Sequence, residues 1–362
     1  MFKTTEGSTG RLIELCSGYF IFYVITGITV KYFTGSFALG FPGMNEIEFL
    51  VFSTLGGNFV CLAVALSLRW YRLQSDNRLT IGTVTFPKEI LYIIPSGICT
   101  AVVIPTTTLM YLLPISVMVA MVIMRASVII ISRAVDAIQI QKGILKKTVY
   151  REENIAVIFA LLGAALNVFW VGEKDFEFVH STAAMTILTS YIIAYAIRIY
   201  IMNYYKNTQP KGSKLNNKGF FAVEQITATT VMVGVGYVLF KSPDWFQSTD
   251  LSITHFHDAF IMPNPSWSWA IVAGMAYGMV AFFSVFIFMF KGRTATFAGL
   301  VNRLTSLVAG TTATLFSWFI LGGQFPKIQD WLSLVFIFIA VGFLSIAERK
   351  RSAELAISAP HS

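Results

Sequence analysis

The chain has 362 residues, of which 55% are hydrophobic and only 13% charged, and its formal net charge is +8. Ordinary soluble domains carry about 25% charged residues. A single soluble core is therefore excluded and the membrane class is favoured before any motif is read. The basic excess does not point to nucleic acid, because the lysines and arginines fall where membrane topology wants them.

A spanning helix needs about 20 mostly apolar residues. That criterion predicts ten spans, at 12–32, 47–68, 90–112, 115–131, 155–171, 183–202, 220–239, 269–290, 295–321 and 331–346. The first lacks a small-residue cleavage site after it and reads as a retained helix. The third and fourth are separated only by Leu113-Pro114, which suits a tight hairpin because proline tolerates a helix start. The longest tethers, 69–88, 133–153, 203–218 and 241–266, are too short for separate soluble domains. Residues 206–218 read as a flexible linker, and the tail after Arg351 as short, polar and without structure. No alternation on the scale of an outer-membrane barrel is present.

Basic residues concentrate in alternate loops. Lys3 and Arg11 open one set; it continues with Arg69, Arg72, Arg78 and Lys88, with Lys142, Lys146, Lys147 and Arg151, and with Lys206, Lys211, Lys214 and Lys218. Lys291 and Arg293, then Arg349, Lys350 and Arg351, complete it. The other set holds Lys174, Lys241 and Lys327 beside six acidic residues. The positive-inside rule then puts both termini in the cytoplasm. The predicted fold is an all-α polytopic membrane protein of ten transmembrane helices in two inverted five-helix repeats, residues 1–180 and 181–362. An odd number of spans per repeat inserts the second upside down and places a substrate site at the midplane. Pro95 and Pro105 in the third span, and Gly274 and Gly278 in the eighth, mark places where helices bend or pack closely, though both residue types are common in membrane helices.

Two arginines carry the functional expectation. Arg125 lies about 16 Å beyond Pro114, near mid-bilayer, and Arg303 sits ten residues past Arg293 at a similar depth from the other side. Ile123-Met124-Arg125-Ala126-Ser127 parallels Val301-Asn302-Arg303-Leu304-Thr305. A mid-membrane charge costs about 2.5–3.5 kcal/mol on insertion scales and usually faces a polar interior. The pair is expected to anchor an anion through planar guanidinium forks, with Asn302, Ser127 and Thr305 supplying hydrogen bonds. The competing expectation is a structural arginine tied to an acidic residue or to carbonyls. Glu224 and Gln225 are expected just inside the cytoplasmic edge; Glu224 is read as a counter-charge, a proton-coupling carboxylate or a gate partner, against a salt bridge with Arg133 or Arg198. Arg133 and Arg198 themselves read as snorkelling.

Glu46, Glu48 and Lys31 read as solvated or vestibule residues, and the aromatics Tyr19, Phe20, Phe22 and Tyr23 as lipid-facing or packing. Cys16, Cys61 and Cys99 sit in apolar segments, away from any histidine, so neither disulfides nor metal is expected. His180, His255, His257 and His361 are assigned to loops. No phosphate loop or nucleophile elbow is visible, so neither an enzyme nor a cofactor is expected.

These residues resemble the drug/metabolite transporter superfamily, in its nucleotide-sugar-transporter-like branch. Met110-Tyr111-Leu112-Leu113-Pro114-Ile115-Ser116 resembles that branch's Y-L-P-[VI]-S signature, and Met124-Arg125-Ala126-Ser127-Val128-Ile129-Ile130 its continuation. Gly299-Leu300-Val301-Asn302-Arg303 resembles the G-A-L-N-K motif of GDP-sugar transporters, with arginine replacing lysine. Ala222-Val223-Glu224-Gln225 departs from their F-Y-N-N. The resemblance implies secondary transport by alternating access, often as exchange, and a binding role for Asn302 and Arg303.

The expected function is secondary transport of a small anionic metabolite. The alternatives are a proton-coupled exporter of neutral or cationic solutes using Glu224, and a membrane scaffold. The expected partners are a small-molecule substrate and the lipid bilayer, with the chain a monomer or homodimer. No acceptable N-glycosylation sequence occurs, since Asn264-Pro265-Ser266 is excluded by its proline; a bacterial inner membrane is expected, with a Golgi-type membrane as the alternative.

Overall fold

The structure, a computed structural model, describes residues 7–73, 75, 78–81, 83–112, 117–169, 181–209, 216–323 and 325–357. The described chain is almost wholly helical: α1 (Thr9–Phe33), α2 (Glu46–Ser67), α3 (Ile90–Leu112), α4 (Val117–Gln141), α5 (Arg151–Phe169), α6 (Thr182–Thr208), α7 (Asn217–Phe246), α8 (Leu251–Ile261), α9 (Trp267–Phe288), α10 (Ala295–Leu321) and α11 (Ile328–Ile357). Among the described residues eight of these are long and apolar enough to cross a membrane: α1, α2, α3, α6, α7, α9, α10 and α11. The molecule is thus a helical multi-pass membrane protein. The helices α4 and α5 occupy two further predicted spans. Arg125, Arg133 and Asp136 lower the apolar character of α4, and α5 opens on Arg151-Glu152-Glu153.

Local sequence explains the helix starts. The side chains of Ser8, Asn45, Ser181, Asn216, Asp250 and Thr294 each accept an N–H of the first turn that would otherwise lack a partner. Gly322, in the left-handed region at φ 65°, ends α10.

Several expectations need correction. The tether 69–88 contains an antiparallel hairpin, β1 (Arg78–Ile81) with β2 (Val84–Pro87), in the register Leu79 to Phe86, so the fold is not strictly all-α. The tether 241–266 contains α8, which places His255 and His257 on a helix; charge-poor, amphipathic sequence of that length is enough for three turns capped by Asp250. The tail does not end its structure at Arg351, because α11 continues to Ile357. Lys206 and Lys218 belong to α6 and α7, leaving a shorter linker than expected. The Leu113-Pro114 hairpin, His180 and His361 lie outside the described residues.

Packing follows small residues. A Cβ on Gly56 would collide with the Ile271 carbonyl, and one on Gly274 or Gly278 with the backbone of Ser53 or Gly57, so α2 and α9 touch main chain to main chain. On the other side Gly97 of α3 lies against Glu224 and Thr227 of α7. Further neighbours are α1 with α9 and α10, α6 with α3 and α4, α5 with α11, and α4 with α10. In the last pair Gly299 meets Ser132 and Gly310 meets Arg125, so the two helices run antiparallel. One apolar core gathers residues such as Ile93, Val128, Tyr191, Phe221 and Phe288, and a second residues such as Leu15, Ala160, Leu304 and Ile337. The arginine-bearing helices α4 and α10 contribute to both.

Candidate functional site

Arg303 stands eight residues past Ala295, about 12 Å into α10. It is 92% buried, and its Nε and Nη2 have no partner among the described residues. Those two atoms form one edge of the guanidinium plane, the edge that accepts a carboxylate or phosphate two-pronged. The guanidinium carbon lies 5.1 Å from the Tyr195 ring centroid, a cation–π stack. Around it are the phenols of Tyr195 and Tyr191 on α6 and of Tyr19 and Tyr23 on α1. Arg125 is buried to the same degree, and its Nη2 also lacks a partner. That nitrogen lies beside Gly310, 3.3 Å from where a Cβ would stand. Gly310 is seven residues beyond Arg303, about 10 Å along α10. Tyr19 lies within electrostatic range of both arginines. Among the described residues neither arginine has a salt bridge.

The other expected residues divide. The Ser127 hydroxyl donates to the Ile123 carbonyl at 2.6 Å and the Thr305 hydroxyl to the Val301 carbonyl at 2.7 Å. Each spends its proton on its own helix, which is what hydroxyls do in apolar helices. Asn302 donates to Ser284 Oγ of α9 at 3.0 Å and is turned away from Arg303 by one residue of helical rotation.

Glu224 belongs to a different arrangement. It accepts from Arg198 Nε at 2.9 Å and Nη2 at 3.0 Å, and from Ser96 Oγ at 2.6 Å, all buried. Arg198 therefore does not snorkel: it is buried, and its charge is met by the Glu224 carboxylate of α7. Arg133 is half-buried and donates its Nε to Asn154 Oδ1 at 2.8 Å. Gln225 is buried with its Nε2 unpartnered, in a small recess also lined by Thr54, Asn58, Cys61 and Tyr277. The outer residues are also engaged. Lys31 donates to Thr314 at 3.2 Å, and Glu48 accepts the Asn264 N–H at 2.5 Å, while Glu46 is exposed.

Sequence reading missed the phenols and the buried carboxylates. Tyr19 is 98% buried beside the arginines and does not face lipid. The signal was present: Tyr19 and Tyr23 in α1, and Tyr191 and Tyr195 in α6, share an i, i+4 spacing that stacks both rings on one helix face. Asp136 lies eleven residues past Arg125, three turns along the same face of α4. It accepts Ala295 N–H at 2.9 Å, Thr296 N–H at 2.6 Å and the Thr296 hydroxyl at 2.6 Å. Beside it the Thr294 hydroxyl donates to Glu153 at 2.6 Å, and Arg293 grips Glu348 through Nε at 2.9 Å and through Nη2.

No protein-family profile matches the chain, and no curated protein matches it. A solved structure named only "Crystal structure of protein" superposes with a TM-score of 0.56 at 11% identity, covering 95% of this chain and 99% of that one. At that identity the likeness speaks for the fold alone.

Proposed function

We propose that the protein is a secondary active transporter that moves a small anionic solute by alternating access. The observation that carries this reading is the two-donor edge of Arg303, buried mid-helix with no carboxylate on it among the described residues, and a second unpartnered donor on Arg125 nearby. Burying guanidinium groups without an internal anion costs several kcal/mol. An anionic substrate that comes and goes makes that cost useful, since its binding then supplies the missing partner. Carboxylates and phosphoryl groups fit such an edge.

The architecture proposed is ten spans in two inverted halves, divided near residue 180. The neighbour pattern supports it. If α1, α2, α3, α4 and α5 correspond to α6, α7, α9, α10 and α11, exchanging the halves turns α2–α9 into α7–α3 and α1–α9 into α6–α3. It also turns α1–α10 into α6–α4, while α4–α10 and α5–α11 map onto themselves; all of these pairs are in contact. Such an exchange is what two equivalent halves would give, and an odd number of spans in each half would make the repeat an inverted one, with its axis beside the α4–α10 crossing. Membership of the drug/metabolite transporter superfamily, termini in the cytoplasm and residence in a bacterial inner membrane complete the proposal. The reading with Glu224 as a proton site has weaker support, because Arg198 and Ser96 already hold that carboxylate.

Purified protein in liposomes is expected to take up organic anions or phosphate esters saturably. Arg303→Ala should abolish uptake while the protein stays monodisperse. Unchanged uptake in that variant would remove the anchoring role.

A further inference from the structure

The two ends of the α4–α10 pair are unlike. At the end carrying the basic loops and the termini, α10 begins under a carboxylate: both oxygens of Asp136 are engaged by two N–H groups and one hydroxyl of its first turn. The same turn is held by Glu153 through Thr294 and by Glu348 through Arg293. Just beyond, Gly299 lets Ser132 approach so closely that any Cβ would collide with it. Every one of these groups is buried. Arg303 lies two turns deeper, so the path from this end to its open edge runs through the seal.

An inverted repeat would build an equivalent seal at the other end. The alignment that pairs Arg125 with Arg303 pairs Asp136 with Thr314. Thr314 offers a hydroxyl where Asp136 offers a carboxylate. That hydroxyl donates to the Gly310 carbonyl at 3.1 Å and accepts from Lys31 at 3.2 Å, with Lys31 exposed. Hydrogen bonds to an ionised, buried acceptor are roughly twice as strong as neutral ones, and a carboxylate at a helix N-terminus is favoured further by the helix dipole.

We propose that Asp136 is the latch of the gate at the basic end, and that its replacement by Thr314 in the other half makes the gates unequal, so that the transporter rests closed at its basic end. The inference rests on the transport reading above. Substrate binding at Arg303 must then break the latch to release cargo on that side, and Asp136 sets the equilibrium between the two open forms without touching the substrate.

The test measures accessibility, not transport. In a background with Cys16, Cys61 and Cys99 replaced by alanine, Tyr23→Cys, half-buried beside Arg303, serves as reporter. A membrane-impermeant thiosulfonate is applied to sealed vesicles of either orientation. The reporter is expected to react from the acidic-loop side and resist from the basic-loop side. Asp136→Asn should raise the basic-side rate roughly tenfold or more, the equivalent of one charge-assisted hydrogen bond. Thr296→Val removes a single donor to the same carboxylate and should shift the rate in the same direction by a smaller factor. It serves in place of Asp136→Asn if that variant does not fold. Equal reaction from both sides in the parent, or an unchanged pattern in Asp136→Asn and Thr296→Val, would overturn the latch and leave the transport reading standing. A reporter inert from both sides in all three proteins would show that water does not reach Arg303, and would remove both readings.

Discussion

Two buried arginines, Arg198 on α6 and Arg303 on α10, meet different surroundings along the same Nε and Nη2 edge. In Arg198 that edge is filled by Glu224, with Ser96 adding a third bond to the carboxylate. In Arg303 the same edge meets no partner among the described residues, and a tyrosine ring covers the guanidinium face instead. Tyr195 lies between them, within electrostatic range of both. On the transport reading proposed above, the comparison separates a charge that builds the protein from one kept available for a ligand. Burial alone does not distinguish them; the identity of the partner does.

The sharpest way to break the contrast is to remove each cation in turn. Arg198→Ala leaves Glu224 buried and unpaired, and should destabilise the protein by about 3–5 kcal/mol, read as a large drop in Tm in detergent. Replacing both partners by apolar residues, as in Arg198→Met with Glu224→Leu, should recover most of that loss. Arg303→Ala should leave Tm nearly unchanged, since among the described residues it strands no buried carboxylate, yet reduce uptake by about 100-fold or more, the worth of two charged hydrogen bonds. If Arg303→Ala falls in Tm as far as Arg198→Ala, the two arginines are alike and the distinction fails.

A smaller effect comes from ligand linkage. A bound anion at a hundred times its Kd stabilises the folded protein by about 2.7 kcal/mol. The parent should therefore gain Tm with phosphate esters or organic anions, Arg303→Lys should gain less because an ammonium cannot match a two-oxygen fork, and Arg303→Ala nothing. Equal shifts in all three would place the anion elsewhere.

The smallest effect is a control away from the membrane. Lys147, in the loop between α4 and α5, is pushed down to about 8 by burial, with Arg351, Arg293 and Lys291 nearby. Its charged form is disfavoured in the folded state, so the cost is fully present below pH 8. Between pH 8 and the ordinary lysine value of 10.5 the folded protein holds the neutral amine while the unfolded chain stays protonated. Stability should accordingly rise with pH across that window by roughly 1 kcal/mol after solvent screening. Lys147→Gln should flatten the rise when Tm is followed against pH. A parent whose Tm falls from pH 8 to 10 would contradict that environment.

The membrane class and the helix positions were legible in the chain, because each depends on local quantities: apolar run length, the 1.5 Å rise and cap residues such as Thr294. The paired motifs around Arg125 and Arg303 were legible for the same reason. Partners were not. Whether Arg198 reaches water or Glu224 depends on how α6 meets α7, and whether Tyr19 faces lipid or a guanidinium depends on how α1 turns against α10. The role of Asp136 became visible only when α4 brought it under the first turn of α10, 159 residues away. Apolar content and helical period act along the chain and can be read there. Pairing of buried charges acts across it, in a medium too poor in water to leave a charge indifferent to its neighbours, and so it was decided by the packing of helices distant in sequence.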